Sequence, residues 1–252
     1  MKERIREKIK EIEEREDVRV LMAVESGSRA WGFASPDSDY DVRFIYVRPL
    51  KEYLRLEKTR DVIEWQLDET LDINGWDLKK ALVLMHDSNP TVFEWCASPI
   101  VYRDSQAFKE LKELRHRYFS PKKSLFHYWS MANGNYRHYL QPDMVPVKKY
   151  FYVLRPLLAA KWIAERNIQP PMLFSELIEA ELPADLQGIV DELLAMKQTM
   201  PEMGEAPKIA ALDAFIEREL DAVKKAAEEA EAVKCGWTEL NEFFCRMTDS
   251  RT

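Results

Sequence analysis

Ile5, Ile9 and Ile12 recur at helical spacing in an otherwise charged stretch, so residues 2–16 read as a surface helix with one apolar stripe. Val18 to Val24 then runs nearly continuously apolar, which predicts a buried strand. Glu25-Ser26-Gly27-Ser28 breaks that run as a turn, a short helix-like segment covers 29–33, and Ser35-Pro36-Asp37-Ser38 is a second turn. Tyr40 to Val47 is aromatic and β-branched and predicts the second strand. Residues 61–67 and 70–76 predict two more, joined tightly around Asp68-Glu69. Asp77 is placed to cap a helix reaching His86, and Asn89-Pro90 to open another over 90–98. A further helix spans 104–117. From Pro121 onward the pattern holds no strand. Residues 121–140, 146–168, 184–199 and 207–231 are helical by period, with Met200 to Pro207 as a loop. Pro156 would interrupt or kink the helix that contains it.

Strands followed by helices predict an α+β unit over 1–117 and an all-helical unit over 118–252. The chain of 252 residues is long enough for one large or two modest domains, and 11% aromatics exclude extended disorder. Only seven glycines argue for helix-rich architecture with few tight hairpins. No run of about 18 apolar residues exists to span a membrane, and the charged N-terminus is no signal peptide. Cys96, Cys235 and Cys245 have no metal spacing and read as reduced thiols of a cytosolic protein. The four histidines form no HExxH-type pair, which argues against a zinc enzyme. A net charge of −7 hides a marked asymmetry. Arg115 to Arg166 holds ten Lys/Arg against Asp143 and Glu165, whereas Glu176 to Glu231 holds fifteen acids against five bases. The local field, not the total, decides what a site attracts.

The informative segment is Gly27-Ser28 followed, ten residues after the serine, by Asp39-Tyr40-Asp41. A strand ending in a Gly-Ser turn that opens a helix offers backbone N–H groups and a hydroxyl to an anion. Asp39 and Asp41 alternate at the head of the next strand and so project from one face. Two carboxylates that close repel and call for a cation, and hard oxygen ligands suit Mg²⁺ or Mn²⁺. A phosphate cradle facing a metal-binding carboxylate pair is the equipment for phosphoryl transfer.

The Gly-Ser…Asp-x-Asp pattern resembles the signature of the DNA polymerase β-like nucleotidyltransferase superfamily. GSRAWGFASPDSDYDVRFIYV, DINGWDLKKAL, SNPTVFEWCASPIVYR and KKYFYVLRPLLAAKWI, in that order, are similar to its RNA-repair-pathway, or RNA-ligase-associated, predicted nucleotidyltransferases over about Val20 to Ile163. The resemblance implies a polymerase β-like domain with a small mixed sheet, then a helical domain closing a cleft. It implies attack of a hydroxyl on the α-phosphate of a nucleoside triphosphate, ATP first among them, with pyrophosphate leaving. Asp39 and Asp41 would hold both metals, and Gly27 and Ser28 the β/γ-phosphates. The third acid that the superfamily carries is best matched by Asp72, in Leu71-Asp72-Ile73, with Glu64 and Asp77 as rivals. Asp77 is better explained as a helix cap.

Around this core the readings stay double. Lys148, Tyr152 and Arg155 share a helix face, with Lys149 beside them. They read either as the nucleotide's lysine and tyrosine contacts across a cleft or as a solvated basic face. Arg29 and Arg43 flank the signature and read as phosphate or carboxylate partners. His127 and His138 read first as packed histidines, and Trp65, Trp76 and Trp95 as core. The basic, aromatic-rich block from Tyr118 to Tyr152 suits a triphosphate, a short RNA end, or both. Two other functions compete: an enzyme that places AMP on protein side chains, and a nucleotide-binding module without turnover.

Overall fold

A computed structural model of the chain describes residues 1–66, 70–199, 204–233 and 235–249. In chain order the elements are α1 (Lys2–Glu16), β1 (Arg19–Glu25), α2 (Gly27–Ala30), β2 (Tyr40–Val47), α3 (Leu50–Tyr53), β3 (Val62–Gln66), β4 (Leu71–Asp77), α4 (Leu78–His86), α5 (Pro90–Ala97), β5 (Val101–Arg103) and α6 (Gln106–Tyr118). They continue as α7 (Pro121–Tyr139), β6 (Met144–Pro146), α8 (Val147–Arg166), α9 (Phe174–Glu181), α10 (Ala184–Thr199), β7 (Glu205–Pro207), α11 (Ala210–Glu229) and α12 (Thr238–Asp249). Among the described residues no helix is long and apolar enough to cross a membrane. The fold is of the expected α+β class.

The first unit comprises residues 1–30, 39–118 and the C-terminal segment containing α12. Its five-stranded sheet has the order β3-β4-β2-β1-β5. Only β2 and β4 run parallel; the other neighbours are antiparallel. Side chains alternate across the sheet. Val42, Phe44 and Tyr46 of β2 join Leu71 and Ile73 of β4 and the isoleucine stripe of α1 in one cluster. Gly75 is part of the reason it closes: a Cβ there would sit 2.2 Å from the Phe44 ring, so only glycine lets that ring cross β4. The opposite face is covered by α4, which packs on β2 and β4, and Trp76 meets Trp95 of α5 at 4.1 Å between ring centroids. That cover protects Ile45 and Val47 but leaves the start of the same β2 face polar, at Asp41 and Arg43. A cavity of about 600 Å³ lies at the far end of β1 and β2, beside Arg19, Arg48 and Lys51.

The second unit comprises residues 31–38 and 119–233. Its core is built on α8, whose Tyr150, Phe151, Leu154, Leu157 and Leu158 are buried among residues of α7, α9, α10 and α11. Pro156 does not end α8, which runs unbroken from Val147 to Arg166.

The structure corrects the expected elements in several places. The short helix lies at Gly27–Ala30 and not at 29–33, because Gly32 turns the chain at φ +85°. The strand pair β6–β7 falls in the region expected to be purely helical. Each of these strands has three residues, too few for an alternating signal. Helices α9 and α12 and strand β5 were not expected. The connection around Asp68-Glu69 lies outside the described residues, as does the first half of the expected loop from Met200 to Pro207, whose last three residues form β7. The 1–117/118–252 boundary also shifts. The tail returns to the first unit, where α12 packs on α4 and α6, and Trp31 to Ser38 joins the helical unit.

Candidate functional site

Asp41 and Asp72 are direct partners across the parallel β2–β4 pair. They therefore stand on the same face, next to one another, where the helical cover stops. Arg43, two residues along β2, lies between them. Its Nη2 donates to Asp41 Oδ1 at 2.9 Å and to Asp72 Oδ2 at 2.8 Å, and its Nη1 reaches the Asp72 carbonyl at 3.4 Å. One guanidinium thus holds two carboxylates that would otherwise repel. Burial pushes the Asp41 carboxyl above its ordinary range. Arg43 opposes that shift, and the charges of Asp72 and Asp39 add to it.

The Gly-Ser turn is pressed against this pair. Gly27 adopts φ +59°, and a Cβ built on it would lie 2.1 Å from Asp41 Oδ2. The turn is tied down by Ser26 N–H donating to the Asp41 carbonyl at 2.8 Å. The sequence separation of the signature therefore closes into direct contact between its glycine and its second aspartate. Ser28 follows in the first turn of α2.

Asp39 sits just ahead of β2 with its side chain exposed. Its backbone is fixed by Arg29, whose Nε donates to the Asp39 carbonyl at 3.0 Å while the guanidinium lies 3.8 Å over the Tyr40 ring. Arg29 is thus engaged with the segment that carries Asp39. Among the described residues no three carboxylate, imidazole or thiolate groups converge as a metal-ligand set. The expected trio is brought together only in part: Asp41 and Asp72 meet through Arg43, and Asp39 stands at their edge. Of the rivals for the third acid, Asp77 caps α4 by accepting from Lys79 N–H at 2.8 Å, and Glu64 accepts from Asn74 at 3.3 Å.

One residue of the site escaped the sequence reading. Glu25, at the end of β1, is fully buried. Its Oε1 accepts the Asp41 N–H at 2.7 Å and its Oε2 accepts the Tyr102 hydroxyl. Burial pushes its carboxyl up, and these two hydrogen bonds counter the shift. The available signal was a single acid closing the apolar run of β1 immediately before the Gly-Ser turn.

Lys148, Lys149, Tyr152 and Arg155 all lie on α8, in the second unit. Arg155 is only 3% exposed, with its guanidinium 4.4 Å over the Trp31 ring. The expected basic face therefore ends at Tyr152, which is exposed and meets Trp31 edge-on at 6.5 Å. Lys149 lies 3.7 Å over Tyr139 and 5.0 Å from the Tyr152 ring. Lys148 acts on Asp37 of the same unit. The Ser35 hydroxyl, and then the charges of Lys197 and Lys148, hold that carboxyl below the usual range. The stretch between the two halves of the signature is thus an integral part of the helical unit.

Comparison with known proteins adds to this geometry. Residues 1–246 match the RNA repair pathway DNA polymerase beta family. The match extends well beyond the Val20–Ile163 resemblance, through the tail that contains α12. The uncharacterized protein YcgL of Bacillus subtilis (strain 168) is 45% identical over 252 residues, covering 99% of this chain and 97% of the relative. A solved nucleotidyltransferase-like protein from Exiguobacterium sibiricum 255-15 is 13% identical, covering 89% of this chain and 74% of that one with a TM-score of 0.31.

Proposed function

The chain belongs to the RNA repair pathway DNA polymerase beta family, and from that premise we propose that it transfers a nucleotidyl group from a nucleoside triphosphate, ATP first, to a hydroxyl at an RNA end. The observation that carries this reading is the Asp41–Arg43–Asp72 cluster with the Gly27 backbone packed against it. In the reaction the acceptor oxygen forms a bond to the α-phosphorus, the bond from that phosphorus to the bridging oxygen breaks, and pyrophosphate leaves. The acceptor's proton passes to Asp72 or to solvent.

The donor chemistry fits a divalent cation. Asp41 and Asp72 present hard oxygens from adjacent strands, and a cation beside them would take over the neutralising role that Arg43 fills. Asp39 and Asp41 would hold both ions and Asp72 one. When bound, Mg²⁺ or Mn²⁺ would supply charge neutralisation at the phosphates and at the entering and leaving oxygens. Gly27 and Ser28 would present backbone N–H groups and a hydroxyl to the β/γ-phosphates. Glu25, through the Asp41 N–H, would keep Asp41 in place. The assignment of Lys148, Lys149, Tyr152, Arg155 and Arg29 to the nucleotide rests on the family resemblance.

The test is pyrophosphate release with each of the four nucleoside triphosphates and Mg²⁺ or Mn²⁺, with and without cellular RNA. The Asp39→Ala/Asp41→Ala chain should lose at least about a hundredfold, the scale of deleting an electrostatic catalytic element. RNA-dependent release, lost in that variant, would uphold the reading. RNA-independent release would move the acceptor to protein. Nucleotide binding without release, unchanged in Asp72→Asn, would leave a binding module.

A further inference from the structure

We propose that the outer face of α7 is a docking surface for single-stranded RNA. The proposal takes the acceptor of the reaction above to be RNA, and to that extent rests on that reading.

Helix α7 has 19 residues and not one Asp or Glu. Between Phe119 and Ala164 the sequence carries a single acid, Asp143. The inner side of α7 is spent on the core through Leu125, Tyr128, Ala132 and Tyr136. One edge faces the acidic helix α11, where Tyr136 donates to Glu217 at 2.6 Å and Lys122 Nζ donates to the Ala230 carbonyl at 2.9 Å. What remains outside is a broad stripe, in which Lys123, Phe126, Met131, Arg137 and His138 are all exposed. From Lys123 to His138 the stripe is about 22 Å long at 1.5 Å per residue, enough for several nucleotides. Beside it stands the exposed Tyr152, whose backbone carbonyl accepts from the Asn135 side-chain amide at 3.1 Å.

Two features choose the partner. The first is charge: a helix that itself carries no carboxylate, with Lys and Arg at the two ends of its exposed stripe, suits a polyanion. The second is the interleaving. Phe126, 37% exposed, and Met131, 41% exposed, stand between the cations. They stand five residues apart, about 7.5 Å along the helix axis, and offer flat or polarisable contacts, which suits unpaired bases better than the edges of a duplex. Gly134 sits mid-stripe, with nothing within 4 Å of where its Cβ would be, so a polynucleotide can approach the helix backbone closely there.

The test is fluorescence anisotropy of the full chain with a labelled single-stranded RNA of about 12 nucleotides, without nucleoside triphosphate, across a salt series. Lys123→Glu/Arg137→Glu should weaken binding at least about tenfold and flatten the log–log salt slope by roughly 1.4, two phosphate contacts' worth. Phe126→Ala should weaken binding about fivefold or more while leaving that slope unchanged. Both substitutions are at exposed positions, and thermal melts matching the unsubstituted chain confirm that the variants fold. Binding indistinguishable from the unsubstituted chain in both variants would overturn the proposal. So would equal competition by polyglutamate, which would mark the face as a dock for acidic protein. Loss of RNA binding in the α7 variants with no nucleotidyl transfer by any form would sink the enzymatic reading and leave this surface standing.

Discussion

Gly27 shows how much of the site one residue can decide. Its φ of +59° is open to glycine and costs an alanine roughly 1–2 kcal/mol. Its missing Cβ also leaves the space that Asp41 Oδ2 occupies. Gly27→Ala is therefore expected to lower stability by about 1–3 kcal/mol and to cut pyrophosphate release far more than that loss explains. Urea unfolding beside a rate measured on folded protein separates the two effects, and a variant with normal release would detach the turn from the site. Gly27, Asp41 and Arg43 could be picked out from their spacing on turn and strand, and Asp72 from the family resemblance, whereas Asp39, expected to share a strand face with Asp41, lies just ahead of β2. Glu25 and Tyr102 were not. They lie 77 residues apart, and only the pairing of β1 with both β2 and β5 brings the Tyr102 hydroxyl and the Asp41 amide to one carboxylate.

At the scale of elements, β4 and α4 settle a competition between acids. Alternation along β4 puts Asp72 on the polar face with Asn74 and sends Leu71 and Ile73 into the core. Asp77 ends the strand buried, with Oδ1 accepting from Lys79 N–H and Oδ2 from the Tyr53 hydroxyl at 2.9 Å. A carboxylate with both oxygens committed to holding the start of α4 and the end of α3 has no oxygen to spare for chemistry. Asp77→Ala is expected to cost about 1–3 kcal/mol of stability with little change in activity per folded molecule. Asp72→Asn should do the reverse, with stability nearly kept and pyrophosphate release lost by at least about a hundredfold. The opposite assignment would make Asp77 the third acid. Long periodic segments such as α1 and α8 were readable because each presents several turns of one pattern. Segments of three or four residues, such as β5, β6 and β7, present less than one period. Their existence is set by pairing partners elsewhere in the chain.

At the scale of the whole molecule, neither unit is continuous in sequence. Trp31 and Phe33, inside the nucleotidyltransferase signature, are spent on the helical unit: Phe33 stacks on Phe151 at 5.2 Å and meets Phe174 edge-on at 5.3 Å. Conversely, the C-terminal helix belongs to the sheet unit. Composition could not reveal either exchange, because an amphipathic helix does not say in sequence which core it covers. Helix α12 buries Leu240 and Phe243, sets Phe244 edge-on to Tyr53 at 5.0 Å, and offers the Met247 carbonyl to Arg19 at 2.6 Å. Ahead of it, Trp237 stacks on His86 at 3.6 Å. Burying two large apolar side chains is worth about 3–6 kcal/mol, a large share of the ~5–15 kcal/mol that holds a domain together. A chain ended after residue 233 is therefore expected to melt in two steps, with the sheet unit's transition falling well below its position in the full chain and the helical unit's hardly moving. Differential scanning calorimetry of the two forms checks this. A single unshifted transition would mean that α12 is an appendage. It would also mean that the family match through residue 246 reflects something other than its part in the sheet unit's core.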